Sequence, residues 1–99
     1  NPSYLFAKLG YAELCIVHNE LDKVVDIFDS KLDLALLYPD RNVFHISEVS
    51  SFFSLLALYF LAKGDIELAR QYYNILVQIA PEERATQIVA HKFLFHLLD

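Results

Sequence analysis

The stretch FFSLLALYFLA, residues 52–62, decides the fold of this chain. It carries no charged side chain and is apolar around its whole circumference when it is wound as a helix. A surface helix has one polar face, whereas a helix that is apolar all round needs neighbours on every side. We therefore predict a central helix that the other elements of the chain surround.

Residues that end helices flank this stretch and divide the rest of the chain. Gly64 offers the permissive backbone of a helix end, and Asp65 can cap the helix that follows. Pro39 ends an earlier apolar run, and Pro81 is typical of the first turn of a helix. Because only two Gly and three Pro occur in 99 residues, turns are few and an all-α fold is favoured. The periodicity predicts five helices, at about 2–18, 20–38, 44–63, 66–80 and 82–98, with Asn1 as the first cap.

Composition and charge exclude several classes of function. The formal net charge is −5 and the eight basic residues are scattered, so no basic stripe could neutralise a nucleic-acid backbone or an anionic membrane. The longest uncharged stretch, residues 49–62, is shorter than the roughly 20 apolar residues that a transmembrane helix needs. The single Cys15 excludes an internal disulfide and is compatible with a reducing compartment. We expect a cytoplasmic protein that binds neither nucleic acid nor membrane.

Residues 50–83 carry a spaced pattern of small and aromatic side chains. Its members are Phe53, Leu56-Ala57, Phe60, Gly64-Asp65, Ala69, Tyr73 and Pro81. The pattern resembles a tetratricopeptide repeat, in which aromatic residues, small residues and a closing proline recur at these spacings. The resemblance implies two antiparallel helices that approach closely at Ala57 and Ala69.

A weaker copy of the pattern lies upstream. Its members are Tyr11-Ala12, Cys15, Asn19, Val24 and Phe28, at the places of Leu56-Ala57, Phe60, Gly64, Ala69 and Tyr73. The copies are 45 residues apart, counted from Ala12 to Ala57, so an insertion separates them. The resemblance thus implies a short right-handed tetratricopeptide-like superhelix in a single domain, residues 1–99. Its parts are unit one at about 5–38, an insertion at about 39–49, unit two at about 50–83 and a closing helix at about 82–98.

No cluster of residues indicates catalysis, a cofactor or a metal. His91 and His96 lie about 140° apart around a helix, so one ion cannot bind both from one face. Cys15 and His18 could reach one ion together, but Cys15 also fits a buried apolar position. The serines of the third helix lack a nucleophile elbow and a phosphate-binding loop, and His45 is expected at the surface or as a helix cap. We predict a protein that is not an enzyme and that has no cofactor or metal site.

Two surfaces outside the repeat pattern are candidates for contact with a partner. Four aspartates recur at helical spacing, so the second helix is expected to carry an acidic face that either meets a basic partner or is solvated. These are Asp22, Asp26, Asp29 and Asp33. The last helix is apolar over most of its circumference, which predicts contact with a second copy or with a following helix of a larger chain. Its apolar residues are Ile88, Val89, Phe93, Leu94, Phe95, Leu97 and Leu98.

The resemblance also implies a peptide-binding groove on the concave face, which the first helix of each pair forms. The residues carried over to it are Leu9, Glu13, Ser51, Ser54, Leu55, Leu58 and Lys92, flanked by Phe6, Ile16, Val17, Leu61, Ala62, Ile88, Val89 and Phe95. Lys92 is the only base among them, so a carboxylate clamped there would lack matched donors.

We expect a protein–protein interaction scaffold whose groove binds an apolar or amphipathic peptide segment, such as a helix. The alternative is a structural or regulatory segment of a larger protein. Such a segment would pack against the rest of its own chain or against a second copy, as a homodimer.

Overall fold

The computed structural model describes the backbone of residues 2–98 and the side chains of residues 4–96, and all regular elements within them are helices. They are α1 (Pro2–Val17), α2 (Leu21–Ile27), α3 (Leu34–Leu37), α4 (Ile46–Lys63), α5 (Ile66–Ile79) and α6 (Arg84–Leu98). The predicted all-α class is confirmed for the described residues. The expected cap at Asn1 and the expected exposure of Leu97 and Leu98 lie outside the described residues and side chains.

Helix α4 is the centre of the fold, as its apolar circumference predicts. It packs against α1, α2, α5 and α6, and half of the helix is buried. Phe52 and Ala57 have no exposed surface. Neighbours on several sides thus remove from water the apolar surface that a solvated helix would leave exposed.

The connection between α4 and α5 follows the predicted residues. Gly64 ends α4 with a left-handed backbone (φ 88°), a conformation that glycine adopts without steric cost. The Asp65 carboxylate accepts a hydrogen bond from the Leu68 amide at 3.2 Å and so caps α5. The short connection turns the chain back along α4, where the Phe53 and Tyr72 rings meet at 5.6 Å.

The predicted helix over residues 20–38 is wrong, because two shorter helices joined by a turn replace it. Helix α2 ends at Ile27, and Asp29 and Ser30 have left-handed backbones (φ 52° and 61°). A right-handed helix cannot continue through such residues. Helix α3 then begins at Leu34.

The break also overturns the predicted acidic face. Asp22 and Asp26 lie on α2, but Asp29 lies in the turn and Asp33 caps α3. The Asp33 carboxylate accepts a hydrogen bond from the Ala35 amide at 2.7 Å. Short polar side chains such as aspartate favour caps and turns over helix interiors, which explains this use of the last two aspartates.

Helix α4 begins at Ile46, two residues after the predicted start, with a reciprocal cap. The His45 ring accepts a hydrogen bond from the Ser47 amide at 3.2 Å, and the Glu48 carboxylate accepts one from the His45 amide at 2.9 Å. Such a pair of side chains satisfies backbone donors that have no partner inside the helix. The expected capping role of His45 is confirmed.

An ion pair ties the loop before α4 to the first turn of that helix. The two terminal guanidinium nitrogens of Arg41 donate to the two carboxylate oxygens of Glu48, each at 2.8 Å. Glu48 is only 2% exposed, and the Arg41 guanidinium carbon lies 4.5 Å from the centre of the Phe44 ring. The Arg41 hydrogen bonds, followed by that of the His45 amide, lower the pKa of Glu48 from 4.5 to about 2. The carboxylate is therefore held ionised in a buried position.

The start of the last helix also differs from the prediction. Helix α6 begins at Arg84, and Pro81 and Glu82 lie in the turn before it. The Glu83 amide donates to the Ala80 carbonyl at 3.2 Å, which closes this turn. The proline therefore follows the end of α5 closely instead of opening α6, a common place for a residue that cannot continue a helix.

Ala57 on α4 and Ala69 on α5 are both completely buried, as the repeat pattern predicts. Replacing Ala69 with leucine should lower the free energy of unfolding by about 1–3 kcal/mol, because extra methylene groups overpack a filled site. Urea denaturation measures the change, and Ala7→Leu on the exposed side of α1 is the matched control. Equal stabilities for the two variants would show that the space between α4 and α5 at Ala69 accommodates a larger side chain.

Candidate binding groove

Helices α1, α4 and α6 form a groove in which α4 is the floor and the other two are the walls. Residue numbers rise together along its three sides, from Phe6, Ser51 and Ala85 at one end to Val17, Ala62 and His96 at the other. The three helices therefore run parallel to one another along the groove. The α5 and α2 helices lie outside it, so they position α4 without lining the opening.

The narrow half of the groove is a cavity of about 230 Å³ and is the half nearer the N-terminal ends of the three helices. Four of the ten residues that line it are small, namely Gly10, Ser51, Ser54 and Ala85. The Ser54 hydroxyl donates to the Ala85 carbonyl at 3.2 Å, so this serine already links α4 to α6. The narrow half thus offers an apolar surface that a backbone or a small side chain could approach closely.

The wide half is a cavity of about 450 Å³ nearer the C-terminal ends. Its floor is Leu58 and Leu61, and its rim includes Val17 and Phe95, which are 70% and 63% exposed. Large apolar side chains that remain this exposed around a concavity are typical of contact surfaces. The wide half could therefore receive a large side chain from a partner.

The structure brings the predicted groove residues together, although their accessibility differs. Leu9, Glu13, Ser51, Ser54, Leu55 and Leu58 line the narrow half, and Glu13, Leu58 and Lys92 line the wide half. The three leucines are nevertheless buried, so they belong to the core as well as to the floor. The accessible members are Glu13 and Lys92 on the rims, with Ser51 half-buried.

Other lining residues differ from the sequence expectation. Val89 is completely buried in a core cluster with Ala57 and Leu76 and does not line either cavity. Gly10, Ala85 and His96 line the groove but were not predicted. Gly10 and Ala85 lack a large side chain, so the periodicity of apolar residues gives no signal for them. All three residues lie one helical turn from a predicted groove residue, namely Phe6, Ile88 and Lys92 respectively, and this spacing could have placed them on the same helix faces.

The two walls carry opposite charges. Glu13 lies on α1 and Lys92 on α6, and both are exposed. Among the described side chains, residues 4–96, the ion pairs are Lys23–Glu20, Arg41–Glu48 and Arg70–Glu67, so neither wall residue is paired within that part of the chain. A partner in the groove could therefore meet one negative and one positive side chain across an apolar floor.

The described residues provide no cluster for metal-dependent chemistry. Within residues 4–96, whose side chains are described, no three His, Cys, Asp or Glu side chains lie close enough together to hold an ion. Cys15 is a buried free cysteine in the core between α1, α2 and α4. Helix α4 has the length and composition of a membrane span, a test that buried core helices also pass.

Comparisons of this chain with protein families, with curated proteins and with solved structures found no match. The groove itself combines an apolar floor, a narrow and a wide half, and one formally charged residue on each wall. Such a surface is suited to contact with another polypeptide, whose side chains can bury apolar area against the floor.

Proposed function

We propose that this protein is an interaction module that holds an amphipathic helical segment of a partner protein in the groove between α1 and α6. The observation that carries the proposal is the apolar floor of α4, open between two parallel helices and rimmed by the exposed side chains of Val17 and Phe95. A helix laid on this floor would bury its own apolar face and those rim residues together.

The similar geometry of the two helix hairpins supports a repeat origin for the groove. Asn19 ends α1 with a left-handed backbone (φ 58°), as Gly64 ends α4 (φ 88°). At both turns this residue donates to the carbonyl three positions earlier, and the next residue donates to the carbonyl five positions earlier. Ala12 and Ala57, which occupy the same place in the two copies of the sequence pattern, are both fully buried. We infer from this that α1–α2 and α4–α5 are two tetratricopeptide-like units, with α6 as the closing helix.

The floor favours an apolar ligand over a carboxylate tail. A bound carboxylate needs hydrogen-bond donors, because its desolvation is costly when they are missing. Lys92 is the only Lys or Arg that lines the two cavities, and the Ser54 hydroxyl is already used by the Ala85 carbonyl. Apolar anchors from a helix require no such donors.

A second candidate function is the packing of this chain against a larger protein or a second copy. Exposed apolar side chains on the outer faces of α1 and α6 favour it: Tyr4, Tyr11 and Leu14 on α1 and Leu94 on α6 are each 54–69% exposed. These side chains do not line the groove, so the two functions use different surfaces.

Two neighbouring substitutions on α6 separate these functions. Helical peptides selected from a displayed library of amphipathic sequences are the probe, and fluorescence anisotropy measures their binding. Phe95→Ser should weaken binding about tenfold, because Phe95 is an exposed aromatic anchor on the groove rim. Leu94→Ser is the matched control, since Leu94 is also largely exposed, at 55%, but lies outside the groove.

The outcomes of this experiment are distinct. Selective loss of binding in Phe95→Ser, with an unchanged helical circular dichroism spectrum, supports the groove. Failure to select any binder, or equal affinities for the two variants, contradicts it. Light scattering of the same proteins tests the second candidate: if copies associate through the outer face of α6, Leu94→Ser should reduce the associated fraction.

A further inference from the structure

We propose that the groove recognises a helix whose two flanks carry opposite charges, with a basic side chain beside Glu13 and an acidic one beside Lys92. This inference rests on the proposed function and specifies the partner's chemistry. Between those flanks the partner presents an apolar stripe to Leu58 and Leu61. The partner is thus a protein segment with three distinct faces along one helix.

The positions of the two charged residues carry the inference. Glu13 lines both the narrow and the wide half from α1, and Lys92 lines the wide half from α6. Leu58 lies on the floor between these two residues in the wide half, and it also lines the narrow half beside Glu13. A helix that rests on Leu58 therefore has one flank toward the carboxylate and the other toward the ammonium group.

Neither charge is neutralised by its surroundings within the described chain. The ion pairs among the side chains of residues 4–96 involve other residues, and α6 contains no Asp or Glu that could oppose Lys92. On α1, Lys8 is the only base in the helix and does not line the groove. His96 lies on the same wall as Lys92 and adds a further donor to that side. The α1 wall therefore carries a negative charge and the α6 wall a positive one.

Opposite walls also select the direction of the bound chain. When a helix keeps its apolar stripe on the floor and reverses its direction, its left and right flanks exchange places. One direction then pairs each flank with the opposite charge, and the other direction places like charges together. Complementary charges at an interface fix register and partner choice in this way more than they raise affinity.

Selection from a library of amphipathic helices tests this recognition. All members share an apolar stripe with Ala at one end and Leu at the other, so that the narrow and wide halves of the groove fix the direction of the bound helix. The flanking positions vary among Glu, Lys and Gln. Binders of the wild-type protein should be enriched in Glu on one flank and in Lys on the other. The double variant Glu13→Lys with Lys92→Glu exchanges the walls and keeps the net charge, so its binders should show the reverse assignment.

Affinities of the selected peptides provide the quantitative measure. A peptide selected on the wild-type protein should bind the exchanged variant about tenfold more weakly at low salt, since two attractive pairs become repulsive. High salt should narrow the difference through screening. The control variant, Glu67→Lys with Arg70→Glu, exchanges an exposed ion pair on α5 and should bind like wild type.

The results distinguish failure of this inference from failure of the proposed function. Binders that depend on Phe95 but carry no flank preference would overturn the charged-flank recognition and leave the groove intact. An unchanged preference in the exchanged variant would overturn it as well. Absence of binders, or binding that is independent of Phe95, would overturn both.

Discussion

Replacing Phe52 with alanine is expected to lower the free energy of unfolding by about 3–5 kcal/mol, the cost of truncating a buried aromatic side chain. Phe52 has no exposed surface, and its ring meets that of Phe28 edge-on with centroids 5.5 Å apart. Phe28 lies in the turn after α2, so the pair joins the first part of the chain to the central helix. Domains are stable by only about 5–15 kcal/mol, so this substitution should remove a large share of the total stability.

Urea denaturation followed by circular dichroism measures this loss of stability. Phe95→Ala is the control, because Phe95 is 63% exposed and its truncation should change stability by less than about 0.5 kcal/mol. If Phe52→Ala were as stable as Phe95→Ala, α4 would not be the element around which the core is built.

The central helix and its end could be predicted because their residues admit few alternatives. A run without charges needs burial, and Gly64 followed by Asp65 is a combination that both ends one helix and begins another. By contrast, the turn at residues 28–33 contains neither Gly nor Pro. Asp29 and Ser30 adopt left-handed backbones there, which the apolar spacing of the surrounding residues does not reveal.

The groove could be predicted in part, because repeat spacing assigns residues to helix faces but does not give their accessibility. Leu55 and Leu58 face the groove and are nevertheless only 3% and 8% exposed. Replacing them would disturb the core as well as any binding surface. The exposed rim residues Phe95 and Lys92 are therefore better probes of function, a distinction that depends on how closely α1 and α6 approach α4.

The ion pair of Arg41 and Glu48 was not predicted, although a signal for half of it is present. Glu48 stands three residues after His45, which is the spacing of a capping box. The capping residue is a histidine instead of the usual serine or threonine, so the motif is difficult to recognise in the sequence. Arg41 lies in the loop, seven residues before Glu48. Helical and strand periods relate residues within one element, so they do not indicate a contact between a loop residue and a helix residue.

Acid should destabilise this protein through Glu48. Its pKa in the folded protein is about 2, below the 4.5 of an unperturbed glutamate, because Arg41 and the His45 amide donate hydrogen bonds to the ionised carboxylate. Above about pH 5 the group is ionised in both the folded and the unfolded chain, and its contribution to stability is complete. As the pH falls from there toward about 2, the unfolded chain binds a proton that the folded chain does not.

The expected result is a free energy of unfolding that falls by about 1 kcal/mol per pH unit between pH 4 and pH 3 through this group alone. Glu48→Gln should remove that part of the pH dependence and should be less stable than wild type at pH 7, because hydrogen bonds to a charged group are lost from a buried site. Glu67→Gln is the control, since Glu67 is an exposed residue whose contact with Arg70 is 4.0 Å long.

Arg41→Ala tests the same ion pair from its other side. It should destabilise the protein more than Glu48→Gln does, because it leaves an ionised carboxylate buried without its main partner. The glutamine variant instead leaves the Arg41 side chain, which is 34% exposed and which water can reach. The remaining bond from the His45 amide still favours the ionised form of Glu48, so this variant should keep a weakened acid dependence. If Glu48→Gln and wild type lost stability in parallel between pH 5 and pH 3, Glu48 would not be the group that takes up the proton, and the acid dependence would have to come from other carboxylates.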